Sequence, residues 1–149
     1  MFVESNRQAA QDLGVRAQVI RVEGPSAEYE KAFVAMDQER ADALIVLEEP
    51  INQPNRKTIA ALAAARRLPT VFLISMVDAG GLFAYGTSLR EATRHMARYV
   101  DRILKGSLPG ELPIEVASHP ELAINLSAAR HLGVTVPPEL LAQAGQTIQ

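Results

Sequence analysis

Ala43–Leu47 reads ALIVL and Thr70–Ile74 reads TVFLI. Both stretches are short, continuous and apolar with many β-branched residues, a pattern typical of strands buried on both faces of a parallel sheet. A third stretch, Val15–Val22, is β-branched and partly alternating, and the three begin about 27 residues apart. This spacing is typical of strand–helix–strand units with right-handed crossovers. The sequence therefore predicts a three-layer α/β fold built on an open parallel sheet.

Two helices are predicted between these strands. The first begins near Ala27, after a Gly-Pro-Ser turn, and ends near Arg40. The second extends from about Pro54 to Arg67, with proline in its first turn and two arginines at its end, where basic residues are favourable. Each has apolar residues on one face at helical spacing. The residues expected to face the sheet are Tyr29, Phe33, Met36, Ile59, Leu62 and Ala63.

The second half of the chain has a different pattern. After a glycine turn, Leu82–Tyr85 predicts a short strand and Ser88–Gly106 predicts a long helix. Extended segments are predicted at Ile114–Ala117 and Glu121–Leu126. A short helix, capped by Asn125 or Ser127, is predicted to end at Leu132. A helical turn from Pro137 and a frayed tail from Gly145 complete the chain.

The N-terminal stretch, MFVESNRQAAQDLG, predicts the end of an amphipathic helix that stops at Gly14. A basic start followed by an apolar run is missing, so we expect no signal peptide in this chain. Because the chain begins within a helix, we expect part of the fold to lie upstream of Met1.

The composition is that of one globular domain. The chain has 149 residues, of which 48% are hydrophobic and 21% are charged. Its net charge of −2 argues against nucleic acid or an anionic membrane as the main partner. The absence of cysteine excludes disulfides, cysteine-ligated metals and cysteine catalysis. No apolar run approaches the roughly 20 residues of a membrane span.

Polar side chains follow the ends of the predicted strands. Glu48, Glu49 and Asn52 come after one buried strand, Ser75 follows the next, and Tyr85 ends the short strand after it. Open α/β sheets bind their ligands at the carboxyl ends of the strands. We interpret these five residues as a candidate ligand-binding site, in which two carboxylates favour a ligand with a cationic or donor-rich end. The alternative interpretation is a hydrophilic loop whose asparagine caps the following helix.

The sequence contains no recognisable catalytic constellation. His95, His119 and His131 are far apart and lack the spacing of metal ligands. The motifs GxSxG, GxGxxG and GxxxxGK[ST] are absent, and Gly80-Gly81 is interpreted as a structural turn. We therefore expect a protein that is not an enzyme and that holds no metal and no cofactor.

Four arginines recur at every fourth position of the predicted long helix. They could form a phosphate-binding stripe or a solvated helix face supported by neighbouring acidic residues. The net negative charge of the chain favours the solvated face. The four residues are Arg90, Arg94, Arg98 and Arg102.

Several longer motifs, taken in their order along the chain, are similar to one protein family. They are ADALIVL, an apolar helix that ends RRLPTVF, DAGGLFAYGTSL, YVDRILKGSLPGELPIE and ELAINLSAARHLGVTVPPELL. Together they closely resemble the C-terminal part of solute-binding proteins of ABC transporters, in the family that includes tryptophan- and phenylalanine-binding members. The resemblance covers almost the whole chain.

This resemblance implies the type I periplasmic-binding-protein architecture, in which a small ligand binds between two α/β lobes. It implies that residues 1–81 are the ligand-binding part of the C-terminal lobe. Residues 82–149 then supply inter-lobe crossing segments, at Leu82–Gly86 and Leu112–Ala117, a long helix, and C-terminal elements that pack on the lobe or on a partner chain. Where amino-acid-binding relatives have a Pro-Thr-Asp-Asn-type motif, this chain has Glu48–Asn52.

The resemblance also implies the biological setting. The expected ligand is a small organic molecule such as an amino acid or aromatic acid, the expected partner is an ABC permease, and the expected location is periplasmic or extracytoplasmic. The alternative is the effector-binding domain of a transcription regulator, which has the same fold and would need a DNA-binding module. A phospho-receiver is disfavoured because Glu23-Gly24 and Ser75-Met76 stand where its acidic residues would follow the first and third strands.

The predicted long helix also suggests an assembly. In the resembling family its apolar stripe packs on a first lobe, which we do not find in this sequence. Leaving five such side chains exposed would cost on the order of 10 kcal/mol. We therefore predict a homodimer centred on this helix and on Ile114–Leu126. The stripe consists of Leu89, Met96, Val100, Ile103 and Leu104.

Overall fold

The computed structural model describes residues 2–23, 27–47, 49–87, 89–115 and 120–149. The strands are β1 Leu44–Ile45, β2 Thr70–Leu73, β3 Phe83–Thr87, β4 Pro120–Asn125 and β5 Gln146–Ile148. The α-helices are α1 Phe2–Asp12, α2 Ala27–Gln38, α3 Asn52–Ala65, α4 Leu89–Leu104, α5 Leu126–Leu132 and α6 Pro138–Gln143. Two 3₁₀ helices lie at Ile74–Ala79 and Pro109–Glu111.

The strands form one open sheet in the order β1-β2-β3-β4-β5. β1, β2 and β3 are parallel, β4 is antiparallel to β3, and β5 is parallel to β4. Phe72, Ala84 and Ala123 lie side by side across the three central strands. The α/β class, with a mostly parallel sheet flanked by helices, is therefore confirmed.

The main core lies where α2 and α3 pack on this sheet. Phe33 from α2 and Phe72 from β2 are almost fully buried. Arg66, directly after α3, links the two helices because its Nε donates to Asp37 Oδ2 over 2.9 Å and its guanidinium lies 5.2 Å from the Phe33 ring centre. The predicted helix faces are confirmed, since these residues are buried or pack against the core: Tyr29, Phe33, Met36, Ile59, Leu62 and Ala63.

One predicted strand is absent, and one predicted strand is present but not buried as expected. Val15–Val22 is not a strand, and Val15 and Val19 are exposed. Its composition favours a strand, but a strand forms only where a neighbouring strand pairs with its backbone groups. Ala43–Leu47 is not buried on both faces, because Ile45 in β1 is 60% exposed while Val46 is buried.

Three helical termini follow their sequence signals. α1 is followed by Gly14 at a φ of 66°, as predicted for its stop. α4 is followed by Gly106 at a φ of 101°. The Asn125 side chain caps α5 by accepting a hydrogen bond from the Ala128 backbone N–H over 2.9 Å. Each signal supplies either a left-handed backbone position or an acceptor for an unpaired N–H.

The C-terminal predictions had mixed outcomes. Glu121–Leu126 is confirmed as extended, since it overlaps β4. The tail is not frayed, because Gln146–Ile148 pairs with β4 as an edge strand. Ile114 and Glu115 are not in a strand, and residues 116–119 lie outside the described part of the chain.

Candidate functional site

The carboxyl ends of β1, β2 and β3 meet at one edge of the sheet because these three strands are parallel. Asn52 begins α3 just beyond β1, and Ser75 lies in the 3₁₀ helix that follows β2. Tyr85 is within β3 and is paired in register with Leu73 of β2. The topology therefore brings these predicted site residues, together with Glu49, to the same edge. Glu48 lies outside the described residues.

The loop between β1 and α3 is held by hydrogen bonds to its own backbone. Asn52 Nδ2 donates to the Leu47 carbonyl over 2.8 Å, and the Asn52 backbone N–H donates to Glu49 O over 2.9 Å. The predicted cap was wrong, because the N-cap position is Ile51 and no side chain caps α3 there. Asn52 instead closes the loop, and Asn55 Nδ2 adds a bond of 2.8 Å to the Ile51 carbonyl.

A buried tyrosine from α2 is hydrogen-bonded to this loop. The Tyr29 side chain is 3% exposed, and its hydroxyl donates to Asn52 Oδ1 at 2.9 Å and lies 3.1 Å from the Ile51 carbonyl. Burial raises the pKa of the Tyr29 hydroxyl above its usual value. The neutral hydroxyl can therefore act as a donor over the whole physiological pH range.

An ion pair connects the two sides of the candidate site. Arg56, in the second turn of α3, donates from Nε to Asp78 Oδ1 and from Nη2 to Asp78 Oδ2. Asp78 and Ser75 lie in the same 3₁₀ segment, Ile74–Ala79, on either side of a non-helical residue at Met76. The hydrogen bonds from Arg56 hold the pKa of the Asp78 carboxyl below its ordinary value, and the carboxylate raises the pKa of the guanidinium. This charged link fixes the loop after β2 relative to α3.

The groups at this edge that reach solvent are chemically mixed. The Glu49 and Ser75 side chains are exposed, and Tyr85 is 51% exposed. Together they offer a carboxylate, a hydroxyl and an aromatic face with a phenol group. Such a surface can accept hydrogen bonds from a cationic or donor-rich group and can contact a flat or apolar one.

Sequence reasoning missed three residues of this edge, namely Tyr29, Arg56 and Asp78. Tyr29 was assigned only to the apolar face of its helix. Arg56 and Asp78 lie beyond two different strands at the same edge, so their proximity follows from the parallel topology. Their opposite charges were the available signal.

The described histidines and arginines do not converge on a catalytic or metal-binding cluster. His95 on α4 pairs with Glu115 through Nδ1 over 2.9 Å, and His131 is exposed. His119 lies outside the described residues. Three arginines of α4 are exposed, namely Arg94, Arg98 and Arg102.

Within the described ranges, no three His, Cys, Asp or Glu side chains are grouped to hold a metal ion. None of the helices in those ranges is long and apolar enough to cross a membrane.

Comparison with known proteins gives three similar solved structures. A conserved domain protein from Vibrio cholerae O1 biovar El Tor is 28% identical with a TM-score of 0.82. An ABC domain in complex with L-Trp from Streptococcus pneumoniae is 24% identical with a TM-score of 0.83. A substrate-binding protein with adhesive properties from Clostridium difficile is 16% identical with a TM-score of 0.74. The last two likenesses support the shared fold alone.

The matches cover nearly all of this chain and half of each neighbour. The first two cover 98% of this chain and 49% of theirs, and the third covers 99% and 49%. The chain thus spans about half the length of the solved proteins that it matches. No curated protein is similar enough to be matched. The sequence model of the family described as ABC transporter substrate binding protein matches residues 2–148. The chain therefore belongs to the ABC transporter substrate-binding protein family.

Proposed function

We propose that this chain forms one wall of the ligand cleft of an ABC transporter solute-binding protein. The ligand is a small organic molecule such as an amino acid or aromatic acid. The observation that carries the proposal is the convergence of Glu49, Ser75 and Tyr85 at the carboxyl edge of three parallel strands. The neighbour with bound L-Trp supports an amino-acid-like ligand for a protein of this fold.

Each proposed site residue has a distinct role. Glu48 and Glu49 accept hydrogen bonds from an ammonium or other donor-rich group of the ligand. Ser75 donates or accepts one hydrogen bond, and Tyr85 packs its ring on an aromatic or aliphatic side chain. Asn52 holds the loop through its bonds to Leu47 and Tyr29 and keeps one amide N–H for the ligand.

The biological setting belongs to the same proposal. As a solute-binding protein, the chain would deliver its ligand to an ABC permease in the periplasm or another extracytoplasmic compartment. Its role is then binding and transfer, without catalysis. Support for this setting comes from the family to which the chain belongs.

Calorimetry against a panel of amino acids and aromatic acids tests the ligand proposal. One wall leaves most of a ligand in contact with water, so binding by a single copy is expected to be weak. Tyr85→Ala and Glu49→Gln should abolish the heat of binding, whereas Glu139→Gln, on exposed α6, should not. Sub-micromolar affinity of a monomer would contradict the incomplete cleft, and unchanged binding by Tyr85→Ala would contradict the site.

We further propose that a second copy of the chain covers the apolar stripe of α4. Met96 and Val100 are each more than half exposed, and Leu104 is 82% exposed. Ile103, on the same side of the helix, is 41% exposed. A contiguous apolar stripe of this kind is typical of an interface.

A further inference from the structure

A second cleft lies at the opposite edge of the sheet, between α3 and α5. Thr70 is the first residue of β2, and Leu82 directly precedes β3. Asn125 ends β4, which is antiparallel to β3, so it lies at that same edge. The cleft has a volume of about 240 Å³. It is thus separated from Ser75 and Tyr85 by the length of the strands.

The walls of this cleft are mainly apolar. Among the residues that line it, none is Asp, Glu, Lys or Arg. Its volume corresponds to about eight water molecules at their share of liquid volume, which is enough for a short aliphatic chain. The apolar side chains of the lining are Ala60, Ala63, Ala64, Leu68, Leu82, Ala128 and Leu132.

Asn125 supplies an unpaired donor to this cleft. The residue is only 8% exposed. Its Oδ1 accepts from the Ala128 backbone N–H at 2.9 Å and from Ser127 Oγ at 2.8 Å, which fixes the amide orientation. No described residue accepts a hydrogen bond from Nδ2. Because every fully buried side-chain nitrogen and oxygen among the described residues has a partner, Nδ2 is not fully buried, and Asn125 is one of the residues that line this cleft.

A second donor belongs to the same lining. His131 is exposed and lines the cleft six positions after Asn125. One ring nitrogen of a neutral imidazole carries a proton. The Ser127 hydroxyl proton is engaged with Asn125, so Ser127 has only acceptor capacity left. The free donors therefore come from Asn125 and His131.

We propose that this cleft is a second binding site, for a small aliphatic molecule that ends in a carboxylate. The aliphatic chain lies along the alanines and leucines of α3, α5 and β2–β3, and the carboxylate accepts hydrogen bonds from Asn125 Nδ2 and the His131 ring. A cationic head group is disfavoured, because the lining contains no carboxylate to balance its charge and Asn125 presents a donor. The site is independent of the carboxyl-edge cleft.

Two probes with the same aliphatic chain and opposite head groups test this assignment. Sodium pentanoate and pentylamine are titrated into the isotope-labelled full chain and followed by ¹⁵N–¹H spectra. Pentanoate should give saturable shifts at 60–64, 80–82 and 125–132, and pentylamine should give none there. Absence of saturable pentanoate shifts in these segments would overturn the proposal.

Two variants separate binding from folding. Asn125→Asp keeps the capping oxygen, since Asp and Asn cap helices equally well, but it replaces the donor with a carboxylate. It should abolish pentanoate binding and admit pentylamine. Ala64→Leu should reduce pentanoate affinity about tenfold or more by filling the cleft, whereas Ala61→Leu, exposed on α3 outside the lining, should not. The site would be refuted if Asn125→Asp still bound pentanoate in preference to pentylamine. It would also be refuted if Ala64→Leu and Ala61→Leu changed the pentanoate affinity equally.

Discussion

Arg56 and Asp78 are joined by two hydrogen bonds of 3.0 Å each, one from Nε to Oδ1 and one from Nη2 to Oδ2. A third contact, from Arg56 Nη1 to the Gln53 carbonyl at 3.0 Å, holds the guanidinium against the first turn of α3. Two-point pairs of this kind restrict orientation as well as distance. The ion pair therefore fixes the position of Asp78, which a kink at Met76 separates from Ser75 in the segment after β2.

Asp78→Asn should cause a small, pH-dependent loss of stability. The Asp78 side chain is 54% exposed, so solvent screening keeps the expected loss at pH 7 below about 1 kcal/mol. The pKa of Asp78 is lowered in the folded state. Its contribution is therefore present above the ordinary carboxyl pKa and disappears as the pH falls through the lowered value.

Urea unfolding at neutral and acidic pH measures this difference. Exposed Asp42 provides a control, because Asp42→Asn removes one carboxylate and leaves the Arg56–Asp78 pair intact. The role of the ion pair would be contradicted if Asp78→Asn and the unmodified chain differed in unfolding free energy by the same amount at both pH values.

Tyr29→Phe should destabilise the fold by about 1–2 kcal/mol. The substitution keeps the packed ring but leaves Asn52 Oδ1 without its donor, and an unsatisfied buried acceptor costs about this much. Because burial raises the pKa of Tyr29, stability should also decline as the pH rises above the usual tyrosine value, and Phe should weaken that decline. Chemical denaturation at pH 7 and pH 10.5 checks both expectations. Tyr85→Phe, at an exposed position, should leave the stability at pH 7 unchanged.

Gly81→Ala should destabilise the chain far more than Gly110→Ala. A Cβ atom at Gly81 would lie 2.4 Å from Phe72 Cδ2 and 3.0 Å from the Thr70 carbonyl. Phe72 is 2% exposed, so moving its ring aside would disturb the core, and overpacking should cost about 1–3 kcal/mol. A Cβ at Gly110 meets nothing within 4 Å. Thermal melting of the two variants measures this difference. Equal melting temperatures would show that Phe72 and the backbone at Thr70 can shift to make room for the Cβ.

The proposed dimer should depend on the apolar side of α4. Light scattering at tens of micromolar should give twice the mass of the chain, and Met96→Glu combined with Ile103→Glu should give the single mass with unchanged helix content. Arg98→Glu, on the opposite side of the helix, should leave the dimer intact. A monomeric mass for the unmodified chain would refute the pairing.

A β-branched stretch of the sequence became a strand only where a neighbouring strand pairs with its backbone. Thr70–Ile74 matches β2, which pairs on both sides. Val15–Val22 has an equally β-branched composition, but composition carries no information on whether a partner is in place. Gln146–Ile148 shows the converse, since a short and largely polar segment becomes a strand because β4 offers it an edge.

The candidate site was predictable in position and only partly in detail. Parallel strand order placed Asn52, Ser75 and Tyr85 at one edge without any coordinates. The bonds that engage Asn52 with Leu47 and Tyr29 depend on side-chain direction, which spacing does not specify. The cleft beside Asn125 was missed for the same reason, because its walls come from helices far apart in the sequence.

The order of the strands has a consequence for how the chain folds. Every strand of the sheet pairs only with the strands just before and just after it in the chain. Contacts between consecutive segments close shorter loops than contacts between distant ones, which favours rapid folding. Each completed strand presents a free edge on which the next segment can add. A chain that emerges N-terminus first, from a ribosome or from an export channel, can therefore build this sheet one strand at a time from β1 to β5.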